Sequence, residues 1–330
     1  MVRKISKYLM LLLLITGCSF PGLGKNVSEN GIVIASGNTT ERQILSEIVS
    51  QMIMHYIPSA NTSLINNLGS TLLIVQSLEK EYANISGAMY TGTSLTGELG
   101  LASTTDPKEA MKGVVEGYAN QYDSIWFPSY GFENTYAFMV TKDIADKYQL
   151  INVSDLEKVK DKIRVGVDNA WIKRQGDGYE QFKTIYGFEL EHINSMEIGL
   201  VYNAVYANKM DVVLGYSTDG RIASYDLVLL VDDKKLFPPY ETSPVVTKKI
   251  LRIYPELETI LLKLEGEISS GQMQELNRQS DDEHLEPYTV AKNFLEENNY
   301  FESKNVVPLV DRTLYKALIQ DVLPLVKEKQ

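Results

Sequence analysis

The residues best able to do chemistry are few. The chain holds three histidines, His55, His192 and His284, and a single cysteine, Cys18. None of the histidines belongs to a spaced metal pattern such as H-E-x-x-H, and one cysteine makes neither a thiolate cluster nor an intramolecular disulfide. No G-x-S-x-G elbow, P-loop or G-x-G-x-x-G after a strand occurs. Carboxylates are plentiful, but nothing marks out an acid/base pair. No metal or cofactor is expected from these patterns. Tyrosine stands out instead, with 20 against 9 phenylalanines. That excess favours rings with a wet end, which line clefts as well as cores. Four tyrosines sit in settings that suit a cleft wall: Tyr90 in "GAMYTGTSLTG" (87–97), Tyr136 in "GFENTYAFMV", Tyr216 at the end of "DVVLGY", and Tyr240 after "LFPP". Taken singly, each reads first as a packed tyrosine with a satisfied hydroxyl.

These residues need elements to hold them. "GIVIAS" (31–36) and "IRVGVD" (163–168) are short apolar runs that predict strands. Leu45, Ile48, Val49 and Met52 fall at i, i+3, i+4, i+7, the stripe of an amphipathic helix. "SDLE" (154–157) has capping-box spacing and predicts a short helix before the second of those strands. "GLVYNAVYANK" predicts a helix, with "DVVLGY" and "DLVLLVDD" as strands after it. Tyr216 therefore projects from the carboxyl end of a strand, where open α/β sheets bind ligands. Pro255 opens a helix that carries Leu257, Leu261 and Leu264 on one face. Residues 87–97, with three glycines and three threonines, suit neither a helix nor a bulky core strand and read as a loop. Leu314, Leu318, Val322 and Leu325 predict a docked amphipathic helix in the tail, limited by Pro324. The alternation of strands and helices makes the chain α/β.

Bulk properties narrow the partners. The formal net charge of −11 excludes the basic face that nucleic acid requires. At the amino end, Arg3, Lys4 and Lys7 precede an apolar run over 8–15 and then "ITGC". This is the order of a secretory signal, with an apolar run too short for a permanent span. "ITGC" resembles the lipobox of bacterial lipoproteins, which implies lipidation of Cys18 and removal of residues 1–17, leaving Cys18 as the new N-terminus. Residues 18–30 then form a tether.

The strings "YTGT", "GFENTYAFMV", "YSTDGRI", "PPYETSPVV" and "MQELNRQ" follow one another in an order and at spacings that closely resemble one family. It is the glycine betaine/carnitine/choline-binding proteins of bacterial ABC importers, the osmoprotectant type, carried as lipoproteins in Gram-positive bacteria. "GVDNAWIKRQGDGYEQFKTIYGF" and "EIGLVYNAV" match its central region, and the resemblance covers about residues 31–300. It implies a two-lobed, periplasmic-binding-protein-like type II fold with two crossing hinge segments. Lobe one would hold residues 31–132 and 244–300, and lobe two residues 133–243. The crossings would lie near 134–140 and 240–246, with 301–330 as a helical extension. It further implies an aromatic cage for a trimethylammonium group at Tyr90, Tyr136, Tyr216 and Tyr240. A quaternary ammonium has no N–H to donate, so ring faces suit it better than hydrogen-bond acceptors. Thr93, three residues after Tyr90, matches broad-specificity relatives; choline-restricted ones carry Asp there. Asn134 matches a polar contact, Asn38 stands where relatives place Gln, and Arg174 occupies a position where some relatives have Arg. The implied protein is no enzyme. It is a lipid-anchored receptor on the outer face of the cytoplasmic membrane, serving a separate permease and ATPase. The alternatives are a choline-selective receptor for nutrient uptake, or a surface enzyme or adhesin on the same scaffold.

Overall fold

The computed structural model describes residues 31–174 and 176–322. The leader, Cys18, the tether, Pro324 and Leu325 lie outside the described residues. Ten strands run through the described part in chain order: β1 (Ile32–Gly37), β2 (Thr62–Leu68), β3 (Ile85–Tyr90), β4 (Ser124–Trp126), β5 (Tyr136–Thr141), β6 (Arg164–Asp168), β7 (His192–Met196), β8 (Val212–Tyr216), β9 (Leu227–Leu229) and β10 (Thr242–Thr247). They form two sheets, ordered β2-β1-β3-β10-β4 and β7-β6-β8-β5-β9. Each sheet is parallel except for one strand: β10 runs antiparallel to β3 and β4, and β5 antiparallel to β8 and β9. Both reversed strands are the ones the chain enters directly after passing from one sheet to the other.

The apolar stripe read from the sequence packs as expected. The helix Thr40–Tyr56 buries Leu45, Ile48, Val49 and Met52 completely against the first sheet, and Thr39 caps it by accepting from the Arg42 amide. The second sheet has its own core, in which Phe138, Trp171 and Phe182 meet edge-to-face and tilted. The two passages between sheets run side by side. Glu133 and Glu241 pair in an antiparallel bridge, the Asn134 amide donates to the Tyr240 carbonyl at 3.2 Å, and the Thr242 amide to that of Phe132 at 3.2 Å.

Three local expectations need correction. Residues 87–97 are not a loop: β3 runs to Tyr90 and a helix follows at once over Thr91–Thr96. The glycines are there for close approach. A Cβ on Gly87 would lie 2.5 Å from the Ser46 Cα, and one on Gly92 would lie 2.8 Å from both the Pro239 carbonyl and the Tyr240 ring. The capping box before β6 belongs to Asn152 and Asp155 rather than Ser154 and Glu157, and it opens a 3₁₀ helix over Val153–Val159. Ser154 instead donates to Asp233 at 2.6 Å. Among its described residues, finally, the tail forms no long amphipathic helix. It makes 3₁₀ turns at Asn299–Phe301 and Leu309–Asp311 and one short helix, Lys316–Ile319, which together press Leu309, Tyr315, Ile319 and Val322 onto the first sheet's core.

Candidate functional site

A cleft of about 480 Å³ receives residues from both sheets and from the passages between them. Tyr90, Tyr136, Tyr216, Tyr240, Thr93, Asn134, Asn38 and Arg174 all line it. Strand ends explain the convergence. Tyr90 is the last residue of β3, Tyr216 the last of β8 and Tyr136 the first of β5. Tyr136 and Tyr216 are direct cross-strand partners, and their rings stand 5.2 Å apart at 35°. Tyr240 lies on the return passage, two residues before Thr242, which pairs with Tyr90. Thr93 is on the helix that follows β3, exposed enough to reach the cleft. Asn134 is on the outward passage, and Asn38 is exposed at the turn between β1 and its helix.

The hydroxyls share a pattern that the sequence did not reveal. Tyr90 donates to Glu41 Oε1 at 2.7 Å, Tyr136 to Asp168 Oδ2 at 2.7 Å, and Tyr240 to Asp177 Oδ2 at 3.3 Å. All three carboxylates are nearly fully buried. Each therefore places negative charge behind a ring that borders the cleft, which makes the ring face more attractive to a cation. Burial pushes the four tyrosine hydroxyls above their ordinary value of 10, so each remains a neutral phenol at physiological pH. Tyr216 is the most open of the four at 36% exposure. Its backbone is clamped by the Tyr202 hydroxyl, which accepts from the Tyr216 amide at 2.6 Å and donates to its carbonyl at 3.1 Å. Gly215 makes this possible, since a Cβ there would lie 2.4 Å from the Tyr202 hydroxyl.

Glu41 is the hub of the first sheet's side. It also accepts from Asn134 Nδ2 at 2.8 Å and from Asn277 Nδ2 at 3.4 Å. Asn277 in turn donates to the Thr218 carbonyl at 2.7 Å, and Gln274 to that of Ser217 at 2.7 Å. The "MQELNRQ" string, on the helix Ser270–Asp281, thus holds the segment that follows Tyr216. In the sequence the string carries only the family resemblance, and its role is visible only in the fold.

Three guanidiniums border the cleft. Arg174 pairs with Asp177 at 2.5 Å, donates to the Tyr240 hydroxyl, and lies 5.7 and 5.9 Å from the Tyr136 and Tyr240 ring centroids. Arg221 forks onto Asp219 at 2.8 Å. Arg42 lies 4.9 Å from the Tyr90 ring centroid. Among the described residues no group of three or more His, Cys, Asp or Glu is arranged to hold a metal, and no helix is long and apolar enough to cross a membrane.

Known proteins resemble this chain in sequence and fold. The carnitine transport binding protein OpuCC of Listeria monocytogenes is 47% identical over 293 residues, covering 89% of this chain and 94% of that protein. A glycine-betaine-binding protein of Pseudomonas aeruginosa is 29% identical, covering 80% and 86%. A solved structure described as a glycine betaine/carnitine/choline ABC transporter superposes with a TM-score of 0.80 at 48% identity, covering 82% of this chain and all of that one. These are solute-binding proteins of importers, not enzymes, with periplasmic-binding-protein-like folds. Residues 30–297 match the family described as the substrate binding domain of ABC-type glycine betaine transport systems, and the chain belongs to it.

Proposed function

We propose that this receptor captures quaternary-ammonium solutes such as glycine betaine, carnitine and choline in the tyrosine-lined cleft and delivers them to an ABC permease for osmoprotection. The observation that carries the reading is the convergence of four neutral tyrosine rings on one cleft, three of them backed by buried carboxylates. Each ring face contributes about 0.5–2 kcal/mol to holding a quaternary ammonium, so several together support micromolar binding. The two sheets act as lobes, residues 31–132 with 244–300 and residues 133–243. Closure follows because Tyr90 comes from one sheet and Tyr136 and Tyr216 from the other, so that a ligand touching all of them favours the closed state. The neutral hydroxyl of Thr93 donates to a carboxylate tail, where an Asp would repel it, which favours zwitterions together with choline over choline alone.

Titration calorimetry with glycine betaine, carnitine and choline tests the reading. Tyr216→Ala combined with Tyr240→Ala is expected to weaken all three by about 100-fold or more, through two lost faces and their apolar area. Undiminished binding would falsify the cage. On the same reading, the receptor works outside the cytoplasmic membrane, held by a lipid on Cys18 beside separate permease and ATPase chains. Replacing residues 1–18 with a cleavable, non-lipidated secretory signal is then expected to release it from the membrane fraction into the medium.

A further inference from the structure

Three arginines line the cleft, and two are already committed. Arg174 is paired with Asp177 and Arg221 with Asp219. Arg42 differs: among the described residues its guanidinium forms no salt bridge, and the Glu98 carboxylate feels its charge only at longer range. Its Nη2 donates to the Thr71 hydroxyl at 3.0 Å, and its charge rests beside and over the ring of Tyr90. The path of the side chain is built into the backbone. Gly37 leaves room for it, since a Cβ there would lie 2.3 Å from the Arg42 Cδ. The tyrosine below, the hydroxyl beside it and the glycine behind it together fix a half-exposed positive charge at the cleft wall.

Resting on the quaternary-ammonium reading above, we propose that Arg42 is the specificity-determining residue that reads the anionic tail of a zwitterionic ligand. A fork of N–H donors matches a carboxylate in geometry and charge, and a pair of that kind is stronger than one made by a neutral hydroxyl. The same charge also disfavours a ligand without a tail. A bare quaternary ammonium pressed against Tyr90 meets a like charge over that ring, whereas the carboxylate of a zwitterion neutralises it. Arg42 therefore favours zwitterions in two ways, by attraction at the tail and repulsion at the head. Thr93 and Arg174 do not duplicate this, since one is neutral and the other is held by Asp177.

The test is the ratio of affinities for glycine betaine and choline, measured by calorimetry on the full mature protein and on Arg42→Gln. The two ligands share a trimethylammonium head, and choline has no carboxylate. The ratio of glycine betaine to choline affinity is expected to fall by about tenfold or more, with choline binding unchanged or tighter. Gly37→Ala keeps the guanidinium but crowds its stem, and is expected to shift the ratio in the same direction. Arg42→Lys keeps the charge without the fork and is expected to fall between wild type and Arg42→Gln. A general loss of structure would weaken both ligands together and leave the ratio alone. A ratio within threefold of wild type in Arg42→Gln overturns the proposal while leaving the cage standing. Failure of the wild type to bind either ligand overturns the cage reading itself, and this proposal with it.

Discussion

On the proposed reading, the binding face of the cleft is made by what stands behind the tyrosines as much as by the tyrosines. A phenol that donates to a buried carboxylate carries more negative charge on its ring, and the carboxylate adds its own field. Asp168→Asn tests this at a single residue. The asparagine still offers an oxygen to Tyr136, 2.7 Å away in the native protein, but no charge. Calorimetry is expected to show about 3- to 10-fold weaker binding of trimethylammonium ligands, with the ring still in place. Unchanged affinity would show that the carboxylate only orients the ring. The tyrosines were legible in the sequence because the strings around them are distinctive, and their partners were not. Asp168 lies 32 residues from Tyr136 and Glu41 49 from Tyr90, so only the folded chain brings them together. Arg42 escaped for the same reason: a lone arginine on the polar side of a helix carries no pattern until its neighbours are known.

At the scale of elements, periodicity was a good guide wherever an element packs on one side. The helix Thr40–Tyr56 and the strands β6 and β8 follow their apolar patterns closely. It failed where a distant segment dictates residue size. Gly87 and Gly92 look like loop formers, yet each is small because Ser46 or Tyr240 touches its backbone. The tail failed differently. Leu309, Tyr315, Ile319 and Val322 do bury themselves, but polar anchors fix their path instead of a helical repeat. The Lys263 ammonium is buried and donates to the carbonyls of Phe301, Glu302 and Lys304 at 3.0, 3.0 and 3.1 Å. Arg312 forks onto Glu265 at 2.7 and 2.8 Å, and the Leu309 amide reaches Glu258 at 2.7 Å. Truncation after Tyr300 would leave the Lys263 charge without its acceptors and uncover the part of the first sheet's core that Leu309, Tyr315 and Ile319 cover. The melting temperature is expected to fall by roughly 8 °C or more by calorimetry. A shift under about 2 °C would mean that the tail is only draped on the surface.

For the whole molecule, the question is how the two halves meet. The α/β class and the two-sheet plan followed from pattern and resemblance. The contact surface did not, because it joins segments with no local signal. Gly220, four residues after Tyr216, approaches the helix Ser270–Asp281 so closely that a Cβ would lie 2.5 Å from the Arg278 amide nitrogen and 2.6 Å from its Cα. Backbone gives way less readily than side chains. Gly220→Val is therefore expected to hold the halves apart, lowering affinity for every quaternary-ammonium ligand by about tenfold or more through a rarer competent state. Small-angle scattering with saturating glycine betaine should show a larger radius of gyration than the wild type under the same conditions. Equal radii and equal affinities would show that this contact plays no part in closure.

The pairing of Tyr136 with Tyr216 has a consequence for redesign. Because the two face each other across one antiparallel register, a one-residue insertion or deletion in either strand turns that strand's ring to the opposite side. Half of the aromatic wall is thus a single unit, fixed by strand alignment and not by loop shape. An engineer seeking a new head group must exchange those two side chains as a set on an unaltered backbone. On the proposed reading, Arg42 and Thr93, which meet the ligand's tail, stand outside this cross-strand pair and can be changed one residue at a time.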